Sequence, residues 1–187
     1  MRQELGPINA LYPTPTVLVG ATVNGKPNFI TVAHIGIMTH SHISIGLGKI
    51  HYTNAGIHEN RTFSVCLPSV DLVVETDYCG IMTGKKTDKS SLFDIFYGEL
   101  RSAPMIAQCP VCMECRLDQV IDYPSHDVFI GEIVQTHAEA EVLVDGKVDI
   151  ARMQPLLFDM ASKQYWSLGE AVANCWNVGK QLKHGQP

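Results

Sequence analysis

Three cysteines that could bind a metal lie close together in the segment CPVCMEC, residues 109–115. Cys109, Cys112 and Cys115 follow one another with the C-x2-C-x2-C spacing that iron–sulfur proteins use to hold a cluster with thiolates. A cluster or a zinc ion needs a fourth ligand, and the remaining cysteines form no paired motif. These remaining cysteines are Cys66, Cys79 and Cys175. The spacing alone therefore leaves a metal site and a cysteine-containing strand as alternatives.

The residues around these cysteines alternate between apolar and polar types, as in a half-buried β-strand. From Val111 to Ile121 the odd positions are mostly apolar and the even positions mostly polar. In such a strand Cys115 points to the core and Cys112 to the opposite face, so the two thiols cannot bind one ion. A helix would bring the thiols together, but Pro110 and the period of two oppose a helix. The pattern favours a strand and predicts no metal site.

Two glycine-containing segments resemble nucleotide-binding motifs without fulfilling them. GIMTGKK, residues 80–86, has three residues between its glycines where a phosphate-binding loop has four, and Lys86 replaces the hydroxyl residue. GLGKIH, residues 46–51, has His51 at the third glycine position of a dinucleotide fingerprint. No G-x-S-x-G motif is present either. No catalytic side chain is therefore predicted from a local motif.

Composition excludes several classes of protein. Of the 187 residues, 45% are hydrophobic and 18% are charged, which is typical of a globular chain with a substantial core. The formal net charge of -5 argues against a nucleic-acid or membrane partner. No apolar segment near the N-terminus is long enough for a signal peptide or a membrane-spanning helix, so a cytoplasmic location is predicted. In that reducing compartment the cysteines are expected as thiols.

Short β-rich runs separated by polar turns make up most of the chain. Residues 16–23 and 26–33 flank Asn24-Gly25, which is a hairpin signal. The other predicted elements are strands at 42–50, 61–68, 111–121 and 127–142, a turn at Asp145-Gly146, a helix at 53–61 capped by Thr53, and a helix at 69–80 ended by Gly80. This pattern predicts a mainly β fold with a few short helices, arranged as a barrel rather than a doubly wound sheet.

Polar and basic residues lie between the strand at 42–50 and the helix at 53–61. These residues are Lys49, His51, Thr53 and Asn54. A helix N-terminus offers free N–H groups and a positive dipole end, and flanking cations make such a junction suited to phosphate. The alternative is that Thr53 only caps the helix while Lys49 is solvated. The residues by themselves leave both interpretations open.

Several segments, taken in order, resemble the flavin reductase-like family of FMN-binding split-barrel proteins, which includes flavoredoxins. They are NFITVAHIGIM (28–38), KIHYTNAGIHENRTFSV (49–65), DYCGIMTGKKTDKSSLF (77–93) and HDVFIGEIV (126–134), and YWSLGE (165–170) is similar to the tail of flavoredoxin-type members. The resemblance implies an FMN-binding split β-barrel formed by residues 1–187 as a single domain, with 1–15 and 171–187 as peripheral arms. It also implies a homodimer with one FMN per subunit, bound at the barrel edge near the subunit interface.

The resemblance assigns cofactor-binding residues as well. Asn28, Thr31 and Ala33 would line the isoalloxazine ring. Lys49, Thr53 and Asn54 would hold the phosphate. The other implied cofactor-binding residues are Gly46, His51, Cys79, Gly80, Thr83, Gly84, Lys85 and Lys89.

Three positions depart from the family pattern. Thr83 stands where a serine is usual and keeps the hydroxyl, whereas Cys66 replaces a frequent asparagine. Pro124-Ser125-His126 replaces Gly-Asp-His, and His126 is the candidate neighbour of a bound nicotinamide. Among the clustered cysteines, Cys109 and Cys115 look like family positions, whereas Cys112 looks incidental.

The function implied by the resemblance is that of an FMN-dependent oxidoreductase, either a flavin reductase or a flavoredoxin. It would transfer hydride or electrons between NAD(P)H or an electron-carrier protein and a flavin or other acceptor. The flavin carries this chemistry itself, which is consistent with the lack of a catalytic acid–base pair in the sequence. The alternatives are a non-catalytic flavin-binding module and, less favoured, a metal-binding protein built on the cysteines.

Overall fold

The computed structural model describes residues 1–184 and consists mainly of antiparallel strands. The strands are β1 (Thr14–Pro15), β2 (Val17–Val23), β3 (Lys26–Val32), β4 (Ile35–Ile37), β5 (His42–Gly48), β6 (Thr62–Leu67), β7 (Ile95–Phe96), β8 (Met105–Ile106), β9 (Val111–Asp122), β10 (His126–Ala138), β11 (Leu143–Val144), β12 (Lys147–Val148), β13 (Leu157–Asp159) and β14 (Gln164–Trp166). The α-helices are α1 (Thr53–Asn60), α2 (Val73–Ile81) and α3 (Ile150–Met153), with 3-10 helices at Val70–Leu72, Ser90–Leu92, Ala140–Val142 and Val178–His184. The predicted mainly β fold with a few short helices is confirmed.

One seven-stranded sheet forms the body of the fold, in the order β3-β2-β6-β9-β10-β5-β4. Every neighbouring pair in this sheet is antiparallel. The sheet curls until β3 approaches β5 across the open side, which gives the predicted split β-barrel. The pairing of β9 with β10 shifts register between Ile130 and Gly131 and again between Ile133 and Gln135. Irregularities of this kind bend and twist a strand, so they help the sheet to curl.

The predicted hairpin turn is present between β2 and β3. Asn24 and Gly25 have φ angles of 50° and 74°, in the left-handed region that a two-residue type I′ turn requires. The turn at Asp145-Gly146, with φ angles of 51° and 72°, joins β11 to β12 in the same way. Both turns therefore follow directly from local sequence.

Side chains on the inner face of the sheet fill the barrel. The fully enclosed members of this cluster include Val19, Ala21, Ile45, Phe63, Val65 and Phe129. Gly131 lies directly against one of them, because a Cβ at this position would be 2.5 Å from Cζ of Phe63. Cys115 belongs to the same cluster, as its odd position in the strand predicts.

A second apolar cluster covers the outer face of the same sheet. It includes Leu18, Phe29, Cys66 and Cys112 from the strands, and Met105 and Ile106 from the segment 93–109 that folds over them. Cys112 and Cys115 do point to opposite faces, as predicted. The predicted half-buried strand is nevertheless buried on both faces near its start, since Cys112 is only 1% exposed. A covering segment from elsewhere in the chain buries that face.

Two predicted helix boundaries differ in the structure. Thr53 is the first residue of α1 rather than its cap, and Tyr52 takes the cap position without a side-chain hydrogen bond. Gly80 does not end α2, which continues to Ile81. A Cβ at Gly80 would be 3.3 Å from Cβ of Thr31, so this glycine serves the close packing of α2 on β3.

Both ends of the described chain lie on the surface. Leu11, Val172 and Trp176 are exposed apolar side chains in these terminal segments. The last three residues of the predicted C-terminal arm, 185–187, lie outside the described residues. Within residues 1–184 no helix has both the length and the apolar character needed to cross a membrane.

Candidate functional site

Two adjoining cavities open where β3 and β5 face each other across the split of the barrel. The first has a volume of about 300 Å³ and the second about 230 Å³. They share Ile30, His51 and Gly80, so they form one continuous cleft. A cleft of this combined size falls within the range of small-molecule and cofactor sites.

The first cavity combines strand residues with a C-terminal hairpin. Thr31 lies in β3, Ala33 directly follows β3, and Gly46 lies in β5. Phe158 and Tyr165 of the β13–β14 hairpin close the opposite side. The cavity is therefore bounded by backbone and apolar surface on one side and by aromatic rings on the other.

Three imidazoles also line the first cavity. The rings of His34 and His126 have centroids 5.8 Å apart, and His51 lies on the side shared with the second cavity. Burial, followed by the positive fields of His126 and Lys89, lowers the pKa of His51. His51 is therefore held in its neutral form at neutral pH.

The second cavity is polar and lies at the start of α1. Asn28 Nδ2 donates a hydrogen bond of 2.7 Å to Thr53 Oγ1, so the hydroxyl proton of Thr53 is left for another acceptor. Thr83 and Gly84 line the facing loop. A Cβ at Gly84 would overlap the amide of Asn28, so only glycine lets this loop approach so closely.

Lys89 places a buried positive charge at the second cavity. The residue is 3% exposed, and its ammonium donates to the carbonyl oxygens of Cys79 at 3.0 Å and Met82 at 2.9 Å. No carboxylate forms an ion pair with it anywhere in residues 1–184. Burial lowers the pKa of Lys89 because desolvation disfavours the charged form. An anion entering the cavity would offset that cost.

Most of the residues predicted to bind a cofactor line this cleft. They are Asn28, Thr31, Ala33, Gly46, His51, Thr53, Gly80, Thr83, Gly84 and Lys89. Four predicted residues do not line either cavity. Lys49 pairs instead with Asp122, Asn54 donates to the carbonyl of Gly48, Cys79 is buried in the second core, and Lys85 is exposed.

A third cavity of about 580 Å³ adjoins the first and shares Ala33, His34, Gly46 and His126 with it. Tyr123 and Ser125 line its other side, next to the N-terminal residues Asn9 and Leu11. His126, the candidate nicotinamide neighbour, thus lies between the third cavity and the first. The arrangement gives a second molecule a route to whatever the first cavity holds.

Sequence reasoning missed His34, Phe158 and Tyr165 as cavity residues. His34 directly follows the strand segment NFITVA, so its place in the sequence indicates that it lies next to the predicted site. Phe158 and Tyr165 reach the cavity through tertiary packing, including a hydrogen bond of 3.0 Å from the Tyr165 hydroxyl to Asp77. No local pattern predicts that contact.

The three cysteines of the CPVCMEC segment are not brought together at one point. Cys115 faces the barrel interior, whereas Cys109 and Cys112 belong to the outer cluster. Within the described part of the chain no group of three or more His, Cys, Asp or Glu side chains has the geometry to hold a metal ion.

Two solved structures named flavoredoxin are similar to almost the whole chain. The flavoredoxin from Methanosarcina acetivorans is 38% identical with a TM-score of 0.94, and the match covers 97% of this chain and 99% of that one. The flavoredoxin of Desulfovibrio vulgaris (Miyazaki F) is 33% identical with a TM-score of 0.89, covering 96% and 100%. An FMN-binding protein from Thermus thermophilus, 19% identical with a TM-score of 0.79 over 93% and 97% of the two chains, shares the fold.

Sequence comparison gives the same relationship. A curated but uncharacterized protein of Archaeoglobus fulgidus is 30% identical over 156 residues, which are 80% of this chain and 86% of the relative. The model of the flavin reductase like domain matches residues 9–166. The chain therefore belongs to the flavin reductase-like family and is of the flavoredoxin type.

Proposed function

We propose that this protein binds FMN in the cleft formed by the first and second cavities and acts as an FMN-dependent oxidoreductase of the flavoredoxin type. Family membership supports a flavin-related redox function, and the relatives named flavoredoxin and FMN-binding protein support the choice of cofactor. The observation that carries the proposal is the buried, carboxylate-free ammonium of Lys89 at the polar end of an otherwise aromatic and apolar cleft.

The residues present fit the two ends of FMN. The second cavity offers the Lys89 ammonium, the Thr53 hydroxyl and the first turn of α1, all of which favour a phosphate. The first cavity offers Thr31, Ala33 and Gly46 backbone together with the Phe158 and Tyr165 rings, which suit a flat aromatic ring system. Gly84 lets the loop that contains it approach the side chain of Asn28 closely in the second cavity.

The protein's own contribution to the reaction is to bind, orient and shield. A bound flavin supplies the hydride and single-electron chemistry. Phe158 and Tyr165 exclude water from one side of the first cavity, and Tyr165 is held by its hydrogen bond to Asp77. His51, neutral because its pKa is lowered, contributes a hydrogen-bonding group without a second positive charge next to Lys89.

Electron donor and acceptor would reach the cleft through the third cavity. We propose NAD(P)H or a reduced electron-carrier protein as donor, with His126 as the neighbour of a bound nicotinamide. The acceptor would be a free flavin or another small molecule. The protein would work as a cytoplasmic homodimer, in which the exposed apolar side chains of the terminal segments meet a second copy.

The direct test is to identify the cofactor and its reductant. Protein reconstituted with FMN and desalted should show a flavin absorption spectrum, and denaturation should release about one FMN per chain. Stopped-flow reduction with NADH, NADPH and reduced ferredoxin would then show which donor bleaches that spectrum. A protein that binds FMN but is reduced by none of these donors would support the alternative of a non-catalytic flavin-binding module. A protein that retains no flavin would contradict the proposal itself.

A further inference from the structure

A fourth cavity, which we call the thiol cavity, lies on the outer face of the sheet and shares no lining residue with the cleft or the third cavity. Its volume is about 290 Å³, and it is lined by Cys109, Cys112 and His137, with Phe96 and Glu139 at its sides. The proposed flavin function uses none of these side chains. Two thiols that share a cavity with an imidazole base are suited to thiol–disulfide exchange.

Strand register places a cysteine on one side of Cys112 and a histidine on the other. Cys112 is paired with Cys66 of β6 on one side and with His137 of β10 on the other. Residues directly opposite each other on neighbouring strands project from the same face, with Cβ atoms about 4.5–5.5 Å apart. The row Cys66, Cys112, His137 therefore crosses three strands on the outer face.

Cys109 joins this row from the turn that precedes β9. Its backbone N–H donates to the carbonyl oxygen of Ile106 at 3.2 Å, and its side chain belongs to the same buried cluster as Cys66 and Cys112. Cys66 is fully enclosed and does not line the cavity, whereas Cys109 and Cys112 do. Of the three thiols, Cys109 and Cys112 are the pair that a molecule in the cavity can reach.

A buried carboxylate orients His137 behind these thiols. Glu114 accepts hydrogen bonds from the Leu100 N–H at 2.6 Å, the Glu99 N–H at 3.1 Å and His137 Nε2 at 3.0 Å. Burial raises the pKa of Glu114, but these hydrogen bonds outweigh burial and hold the pKa below its usual value. An ionised carboxylate only accepts, so Nε2 carries a proton and Nδ1 of neutral His137 keeps its lone pair. His137 is thereby prepared to act as a base.

We propose that Cys109 and Cys112 form a second redox site, a dithiol that small disulfide molecules entering the thiol cavity oxidise to an intramolecular disulfide. The C-x-x-C spacing brings the two residues to one turn and strand start, and both line the thiol cavity. The site is independent of the flavin cleft, since the two share no residue.

The step balances without any further reactant. Hydrogen bonding to Cys112 and Cys66, together with burial, raises the pKa of the Cys109 thiol, so its attack needs a base. His137 takes the proton of this thiol, and the thiolate attacks one sulfur of the disulfide R–S–S–R, breaking that bond and releasing one thiolate. The Cys112 thiol then loses its proton and attacks Cys109 in the mixed disulfide, which forms the Cys109–Cys112 bond and releases the second thiolate. The two released thiolates take up the two protons. Two protein thiols are oxidised, and one R–S–S–R is reduced to two R–SH.

The experiment uses FMN-loaded Cys175→Ser protein, which lacks the exposed cysteine. It is incubated in the native state with excess hydroxyethyl disulfide, alkylated after denaturation and digested with trypsin. Cleavage after Arg61, Lys85, Arg101 and Arg116 puts Cys109, Cys112 and Cys115 on peptide 102–116, and Cys66 and Cys79 on peptide 62–85. We expect peptide 102–116 to lose two hydrogens and to carry a single alkyl group, on Cys115.

Other digestion patterns would overturn the proposal. Full alkylation of peptide 102–116 would mean that the thiols do not react, and a cross-link between 62–85 and 102–116 would mean that Cys66 or Cys79 is the true partner. Cys112→Ala should trap Cys109 as a stable adduct with half of the reagent. A Cys112→Ala protein that keeps its bound FMN and its melting transition but forms no adduct would also contradict the mechanism.

The base is tested by a matched pair of histidine variants. His137→Gln should slow disulfide formation about tenfold or more, as expected when a general base is lost. His58→Gln removes a histidine that also pairs with a carboxylate, Asp127, but lies outside the thiol cavity, and it should react at the wild-type rate. Equal rates for the two variants would exclude His137 as the base. Because FMN content is measured in the same samples, a failure of this site is distinguishable from a failure of the flavin site.

Discussion

Asn28 and Thr53 join the barrel to the first helix through a single buried hydrogen bond. Asn28 lies in β3, and Thr53 is the first residue of α1. The Asn28 Nδ2 atom lies 2.7 Å from Thr53 Oγ1, and both side chains line the second cavity. The two residues are only 5% and 1% exposed. The contact thus helps to hold the start of α1 against β3 and leaves the Thr53 hydroxyl proton for another acceptor.

Thr53→Val should weaken both folding and flavin binding. The change keeps the shape but removes the acceptor of Asn28, and leaving a buried donor without a partner costs about 1–3 kcal/mol. Chemical denaturation of the flavin-free protein measures the stability effect, and fluorescence titration with FMN measures affinity. Thr53→Ser retains the hydroxyl and serves as control. If Val and Ser variants bind FMN equally well, the hydroxyl does not contact the cofactor.

Lys89→Met should weaken FMN binding by about ten- to a hundredfold, because a hydrogen bond to a charged group contributes about 1.5–3 kcal/mol. Riboflavin has no phosphate, so its affinity should change much less. The thermal melt of the variant reports separately on the loss of the contacts with the carbonyls of Cys79 and Met82.

Lys49→Met is the companion variant, because the sequence predicts a phosphate contact for Lys49. In the structure its ammonium pairs with Asp122 and lies 3.9 Å from Asp127. We therefore expect a smaller loss of FMN affinity than for Lys89→Met. A larger, phosphate-specific loss for Lys49 would reverse this assignment.

Cys112→Ser should destabilise the protein by about 1–3 kcal/mol, because a buried hydroxyl costs more to desolvate than a thiol and the shorter serine side chain reaches less far towards the Ile106 carbonyl, to which the thiol donates at 3.4 Å. A solvated polar face, as the alternation predicts for even positions, would tolerate serine there. The structure instead packs Cys112 beneath the segment 93–109. Cys175→Ser, at an exposed position, should leave the free energy of unfolding unchanged. Indistinguishable denaturation curves for the two variants would show that the outer cluster is not packed as described.

The stability of the flavin-free protein should depend on the protonation of His51. Its lowered pKa means that, below the usual histidine pKa of about 6.5, the unfolded chain binds a proton that the folded chain does not. The contribution of His51 is therefore complete above that pH and is lost as the pH falls towards the lowered pKa. The melting temperature of the wild type minus that of His51→Gln should decrease between about pH 7.5 and about pH 5. A constant difference would contradict the inferred pKa.

Light scattering should show a particle of twice the chain mass. Removal of residues 171–187 should weaken this association, because Val172 and Trp176 are among the exposed apolar side chains of the C-terminal segment. Removal of FMN should weaken it too if the cofactor lies near the interface, since a ligand bound only to the assembled form stabilises it. A flavin-loaded monomer would contradict the proposed homodimer.

Local sequence determined the elements and the face that each strand residue takes. The hairpin at Asn24-Gly25 follows from two residues that tolerate positive φ, and the opposite orientation of Cys112 and Cys115 follows from the period of two. Ten of the fourteen residues that the resemblance predicts to bind a cofactor line one cleft, because spacing along paired strands and a helix start carries over between relatives.

Only the tertiary structure decided which faces are covered and which charges are free. Asp122 lies 73 residues beyond Lys49 and neutralises it, whereas Lys89 is buried by α2 and meets only carbonyls. The segment 93–109 buries the outer side of Cys112, and the β13–β14 hairpin brings Tyr165 to the cleft. These outcomes depend on contacts between distant parts of the chain, whose free energies local patterns do not contain. The sequence therefore specified the strands and the neighbourhood of the site, while packing placed Lys89 rather than Lys49 at the cleft and formed the aromatic side of the cleft and the thiol cavity.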